Sequence, residues 1–291
     1  GKVIFTVGPQ GLELMEKAPQ DNATLSSPIE LATPIIIGWG KQIYTIQPTA
    51  GKRIGYIAQD DPLGRAMEEP NRKTAASVGG EFVGAIYFPI GTTDFSAFLT
   101  NMKALKPDIL YTYGGAALLE LTIQALQLDV SPILEIPGFI PALFPLLPPL
   151  GTHTIYAVDW RLPYTTGLMP PDPKVQQAVD SLGQLPGGLP RQTGFAISYH
   201  DYIYLLIQAM QKAGTVTDGK AIAAQMPGLT YEGPFGKVTM LPDRSTRGTM
   251  GLIQVTKDGF HVYVYANVGE TKPILDFTAP PNAIAAPPPR Q

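Results

Sequence analysis

Residues 51–95 read GKRIGYIAQDDPLGRAMEEPNRKTAASVGGEFVGAIYFPIGTTDF. Lys52 to Ala58 is a short apolar run closed by Gln59-Asp60-Asp61-Pro62, and Glu81 to Phe88 is a second run, opened by Gly79-Gly80 and closed by Pro89. Two runs of strand length with a helical segment between them predict a βαβ unit, the building block of a parallel sheet. In such sheets ligands sit outside the carboxyl ends of the strands, which makes Gln59, Asp60 and Asp61 a candidate site.

Strand and helix keep alternating beyond this unit. Residues 93–106 place Phe95, Phe98, Leu99, Met102 and Leu105 at helical spacing, with Thr93 or Asp94 as N-cap. A strand at 109–113 ends at Gly114-Gly115, a helix follows at 117–128, and strands follow at 132–136 and 154–160. Residues 51–160 therefore predict a parallel-sheet lobe. After Pro163 the character changes. Helices are expected at 174–182, at 195–213 with Ile203, Leu206, Met210 and Ala213 on one face and Gly214 as its stop, and at 218–226. Strands at 236–240, 251–256 and 261–265 then read as antiparallel, the last two joined by Lys257-Asp258-Gly259. The first fifty residues offer strands at 2–7 and 43–46 with one helix, 12–18, between them.

A chain of 291 residues, 44% hydrophobic and 15% charged, is long enough for two lobes with buried cores and too apolar for general disorder. The net charge of −3, with lysine and arginine scattered, offers no basic stripe to nucleic acid. The absence of cysteine excludes disulfides, thiolate metal sites and cysteine nucleophiles together. The longest apolar stretch, 136–150, is broken by prolines and would not hold a straight membrane helix. Residues 1–8 read as a buried strand and not as a signal peptide, so a secreted protein would be represented here in processed form.

Six motifs stand in order from Val7 to Gly236: Val7-Gly8-Pro9; Leu25-Ser26-Ser27-Pro28; Gly55 to Asp61 with Gly64; Gly91-Thr92-Thr93-Asp94-Phe95-Ser96; Pro107-Asp108 before a strand; and Tyr231-Glu232-Gly233-Pro234-Phe235-Gly236. This order resembles the type I periplasmic substrate-binding proteins of ABC transporters, in the branched-chain amino acid (leucine/isoleucine/valine) group. The resemblance implies an α/β, two-lobed fold, each lobe a mostly parallel sheet flanked by helices, joined by three crossovers near Thr49-Ala50, near Pro163-Tyr164 and around Tyr231 to Gly236. One lobe would comprise residues 1–50 plus 164–232, the other 51–163 plus 233–277, and 278–291 would be a Pro/Ala-rich tail. It also implies further residues ahead of Lys2 and a helix between Ala50 and Gly51. The expected role is a monomeric, extracytoplasmic solute-binding protein without cofactor or metal, which delivers a small ligand to the ABC membrane permease by cleft closure. The expected ligand is an amino acid or a related carboxylate, aromatic ones included. A ligand-sensing receptor of the same fold is the rival role.

On that resemblance the ligand contacts would be Gln10, Ser26, Ser27, Asp60, Tyr113, Gly114, Glu135, Phe139, Asp159 and Trp160. Ser26 and Ser27 would hold a ligand carboxylate through hydroxyls and free N–H groups, or serve as an ordinary N-cap. Gln10 stands where the family often has a small polar residue. Asp60 and Asp61 would hold an ammonium group or simply close a turn, and Leu63 replaces a frequent aromatic residue before Gly64. Tyr113 would stack on the ligand or belong to the core, beside glycines that let a ligand approach the backbone. Glu135 and Asp159 are the charged groups available to an α-ammonium. If neither faces the ligand, a carboxylate without an ammonium suits Tyr113, Phe139 and Trp160 better.

Catalytic patterns are weak. His153, His200 and His261 lack ligand spacing, and His200-Asp201 are adjacent on a helix, where neighbours point about 100° apart and do not form a relay. There is no G-x-S-x-G elbow. Residues 214–220, GTVTDGK, imitate a phosphate loop but follow a helix and are continued by Ala221, so they read as a helix stop and turn. An α/β enzyme using Asp60, Asp61 or His200 is the remaining rival, without a convergent catalytic set.

Overall fold

The structure, a computed structural model, describes residues 40–41, 43–44, 46–137, 146–160, 177, 194–233, 236–242, 246–247, 250–257 and 259–265. Its elements run β1 (Arg53–Gln59), α1 (Pro62–Ala66), α2 (Glu68–Ser77), β2 (Glu81–Phe88), α3 (Ser96–Ala104), β3 (Ile109–Tyr113), α4 (Leu118–Gln127), β4 (Ile133–Pro137) and β5 (Thr154–Trp160). They continue with α5 (Gly194–Ala213), α6 (Gly219–Gln225), β6 (Thr230–Gly233), β7 (Gly236–Met240), β8 (Thr246–Arg247), β9 (Met250–Thr256) and β10 (Gly259–Tyr265). Contacts divide the chain into two compact units. The described part of one falls within 160–251 and 264–265, and that of the other within 33–159 and 252–263.

The larger unit is built on a seven-stranded sheet of order β10-β9-β5-β4-β3-β1-β2, in which β2, β1, β3, β4 and β5 pair in parallel. β1 is buried over Ile54 to Ala58, as a strand covered on both faces requires. On one face Gly55 is seated under Met102 of α3 and Pro107, and Phe88 meets Phe95 edge-on at 4.9 Å. The opposite face carries Tyr56, whose hydroxyl donates to the Gly64 carbonyl of α1 at 2.8 Å. Helices on both faces make this a doubly wound α/β layer.

Residues 43–46, read from sequence as a strand, are helical where described: Gly40, Lys41, Ile43, Tyr44 and Ile46. Gly40, Ile43 and Tyr44, at i, i+3 and i+4, form the buried side of this turn. A Cβ on Gly40 would lie 1.9 Å from Thr74 Cγ2 and 2.9 Å from the Tyr111 hydroxyl, so only glycine lets the turn approach α2 and β3 this closely. The described residues of 40–50 thus belong to the larger unit, although the sequence suggested the other lobe for them.

In the other unit α5 and α6 cover a three-stranded sheet, β6-β7-β8, which is antiparallel in both pairings. Leu205, Ala209, Ile222, Met226, Leu229, Val238 and Met240 form its core. The buried side of α5 therefore runs through Leu205 and Ala209, with Leu206, Met210 and Ala213 beside it, while Ile203, expected on that side, is exposed. Gly233 pairs with Gly236 between β6 and β7, and β7 with β8, so the strands at 236–240 and 246–247 lie in this unit's sheet and not in the larger one. The parallel sheet expected in this lobe lies outside the described residues, as do 2–7, 12–18 and all but Gln177 of 174–182; Gln177 is helical.

Candidate functional site

In the order β2-β1-β3-β4-β5 the chain leaves β1 in one direction to β2 and returns on the other side as β3. The crevice of such a sheet opens at this switch, between the carboxyl ends of β1 and β3. Those ends are Gln59-Asp60-Asp61 and Tyr113-Gly114-Gly115.

Asp61 organises the crevice. Its Oδ1 accepts from Gly64 N–H at 2.7 Å and caps α1, with Pro62 opening the helix. Its Oδ2 accepts from Gln59 Nε2 at 2.6 Å and from the Tyr113 hydroxyl at 3.4 Å. The turn from β1 into α1 is so tight that a Cβ on Gly64 would stand 2.1 Å from the Gln59 carbonyl oxygen and 3.2 Å from Tyr113 Cδ1. Burial, then the Asp61 charge, pushes the Tyr113 phenol up to about 12, so it remains a donor with a half-buried ring. Gly115, at φ +51, brings its backbone beside the Gln59 side-chain amide.

Asp60 turns away from this cluster. Arg65 Nε and Nη2 grip its two oxygens at 2.8 and 2.9 Å, and the hydrogen-bonded guanidinium holds the carboxyl below its ordinary range. The same guanidinium lies 3.8 Å from the centroid of Tyr87, whose hydroxyl donates to Glu68 at 2.5 Å. Arg65 and Tyr87 form the outer wall of the rim; no spacing in the sequence marks a contact that spans β1, α1 and β2.

Glu135 is placed differently from the sequence expectation. It stands in mid-strand, 3% exposed, in lateral register with Tyr111 on one side and Tyr156 on the other, one pleat below the level of Tyr113. Burial pushes its carboxyl up to about 8. Gly114 is buried against the start of α4, where a Cβ would lie 2.9 Å from Leu118 N. Asp159 and Trp160 are the last residues of β5, with side chains outside the description, and Gln10, Ser26, Ser27 and Phe139 lie outside the described residues. The structure thus brings together Tyr113, Gly114 and the β1 end among the nominated residues. It adds Gly64, Arg65 and Gly115.

His200 and Asp201, expected to point apart, meet at 3.0 Å through Nδ1 and Oδ1. The His200 ring leans towards Tyr204 at 4.9 Å and Tyr231 at 6.2 Å, and the two tyrosines stack at 4.8 Å. This cluster belongs to the smaller unit, as does the loop at 214–220, where Asp218 caps α6 by accepting from Lys220 N–H at 3.0 Å. That contact explains the GTVTDGK stretch as a helix stop and start.

The family model for periplasmic binding proteins matches residues 40–259, and the chain belongs to that family. Solved structures with the same fold include an amino acid ABC transporter substrate-binding protein from Pseudomonas fluorescens Pf-5 (22% identity, 92% of this chain and 72% of that one, TM-score 0.67). A solute-binding protein of an ABC transporter from R. palustris, solved with benzoate, aligns over 90% of this chain and 70% of its own at 18% identity and TM-score 0.69. A leucine-binding protein from Thermotoga maritima aligns over 91% and 72% at 14% identity and TM-score 0.69. No curated protein sequence matches. The family and these neighbours are solute-binding proteins, not enzymes. No helix among the described residues is long and apolar enough to cross a membrane.

Proposed function

We propose that this protein is an extracytoplasmic solute-binding protein that presents a small carboxylate without an α-ammonium group, aromatic in preference to aliphatic, to the permease of an ABC importer. Ligand contacts would favour a closed form that the permease reads. The observation that carries the ligand class is the state of the carboxylates around the crevice of the larger unit. Asp61 already accepts from three donors, Asp60 is gripped by Arg65, and Glu135 is enclosed among tyrosines. Among the described residues, an arriving ammonium would reach Asp60 only by displacing a guanidinium and Asp61 only by competing with the three donors it already holds. The half-buried Tyr113 ring, the Gln59 amide and the backbone at Gly114-Gly115 suit a planar ligand with a polar rim. Benzoate in the R. palustris neighbour is a ligand of this kind.

A thermal-shift panel tests the reading. Benzoate, hydroxybenzoates and phenylacetate should raise the melting temperature. A ligand at 100 times its Kd adds about 2.7 kcal/mol. Leucine, isoleucine and valine should leave it unchanged; stabilisation by these three alone would overturn the ligand class while leaving the transport role intact.

A further inference from the structure

Across the larger sheet, Tyr56 of β1, Tyr111 of β3, Glu135 of β4 and Tyr156 of β5 stand side by side in one register row, and side chains in register on parallel strands share a face. Two of the four hydroxyl or carboxyl groups have hydrogen-bond partners. Tyr56 donates to the Gly64 carbonyl, Tyr156 accepts from Gln254 Nε2 of β9 at 2.9 Å, and the buried Tyr111 hydroxyl has no partner. The Glu135 side chain is almost wholly enclosed, and no ion pair is formed with it among the described residues. The titratable groups facing it are Tyr111 from β3 and Tyr156 from β5; further along the row is Tyr56, and behind Tyr111 is Tyr44 of the 40–46 turn, whose hydroxyl donates to the Gly51 carbonyl at 3.1 Å. β9 presents the uncharged Gln254. No lysine, arginine or histidine among the described residues faces the row.

A carboxylate enclosed without counter-ion or strong donor is costly, and such a group keeps its proton instead. We propose that Glu135 is a proton-held lock in the centre of the larger sheet: it is carried as the uncharged acid in the folded protein, and its ionisation loosens β4 and the rim that β4 supports. This goes beyond the transport reading and does not depend on it. Burial alone lifts the carboxyl from its ordinary 4.5 to about 8. Tyr56 and Tyr111 are themselves pushed well above the ordinary phenol value by burial, so neither titrates ahead of Glu135.

The sign follows from linkage. Because the folded state binds this proton more tightly than the unfolded chain, its contribution is fully present below about pH 4.5, declines as pH rises, and is gone above about pH 8. One proton corresponds to at most about a tenfold change in the opening equilibrium per pH unit. The test is amide hydrogen exchange of the whole chain between pH 5 and pH 9, corrected for intrinsic rates, on wild type and Glu135→Gln. The expected result is that protection at Leu134 to Ile136 falls with pH in wild type, towards tenfold per unit, and is level in the variant. An equal slope in both overturns the proposal. Should the variant fail to fold, carbon-13 titration of glutamate carboxyls in wild type decides. One carboxyl still titrating above pH 7 supports the lock, and none doing so overturns it.

Discussion

Asp61 closes a turn, caps a helix and orients Gln59 and Tyr113, all through one carboxylate. Replacing it with alanine should lower stability by about 1 kcal/mol through the lost cap, with a further loss from the stranded Gln59 amide. Urea unfolding measures this, and an unchanged midpoint would show that solvent takes over the cap. Turn chemistry around Asp61-Pro62 was legible in the sequence because it is local. The enclosure of Glu135 was not. Its neighbours in sequence, Leu134 and Ile136, say only that a strand is present; the tyrosines that surround it come from positions 24 residues before and 21 after, brought alongside by strand register. The Arg65–Asp60–Tyr87 wall was invisible for the same reason.

At the scale of elements, the sequence located nearly every helix and strand of residues 51–160 within a few residues, because strand-length apolar runs alternate there with helical spacing and are separated by Gly and Pro. It misjudged residues 43–46, where a short apolar run fits either state and the deciding contact lies on another element. That contact is testable. Gly40→Ala places a methyl against Thr74 and should destabilise by about 1–3 kcal/mol, seen as faster amide exchange in the 40–46 turn and α2. Adding Thr74→Ser removes Cγ2 while keeping the hydroxyl that donates to the Pro70 carbonyl, and should restore part of the loss, the contact with the Tyr111 hydroxyl remaining. Additive effects of the two substitutions would contradict the packing described. On α5 the exposed Ile203 shows the same limit: a helix of apolar residues on several sides does not announce which side faces the core.

For the whole molecule, the βαβ signal at 51–95 carried most of the fold, since a parallel sheet with a switch between β1 and β3 follows once the next strand returns on the other side. The division into units was only partly legible. β6 and β7 form a hairpin inside the smaller unit, while β9 and β10 sit in the larger sheet, and nothing in their similar local patterns distinguishes the two destinations. The proposed ligand class rests on the hydrogen-bond partners of the described rim carboxylates, which no motif displays.

The central claim is that the crevice rejects an α-ammonium, and the most direct measurement is calorimetric titration with pairs of ligands differing only in that group: phenylalanine against 3-phenylpropanoate, and leucine against 4-methylpentanoate. The account predicts that the deaminated acid binds at least about tenfold tighter in each pair, a difference of about 1.4 kcal/mol, with the phenyl pair binding more tightly than the aliphatic one. Tighter binding of phenylalanine and leucine than of their deaminated counterparts would contradict it.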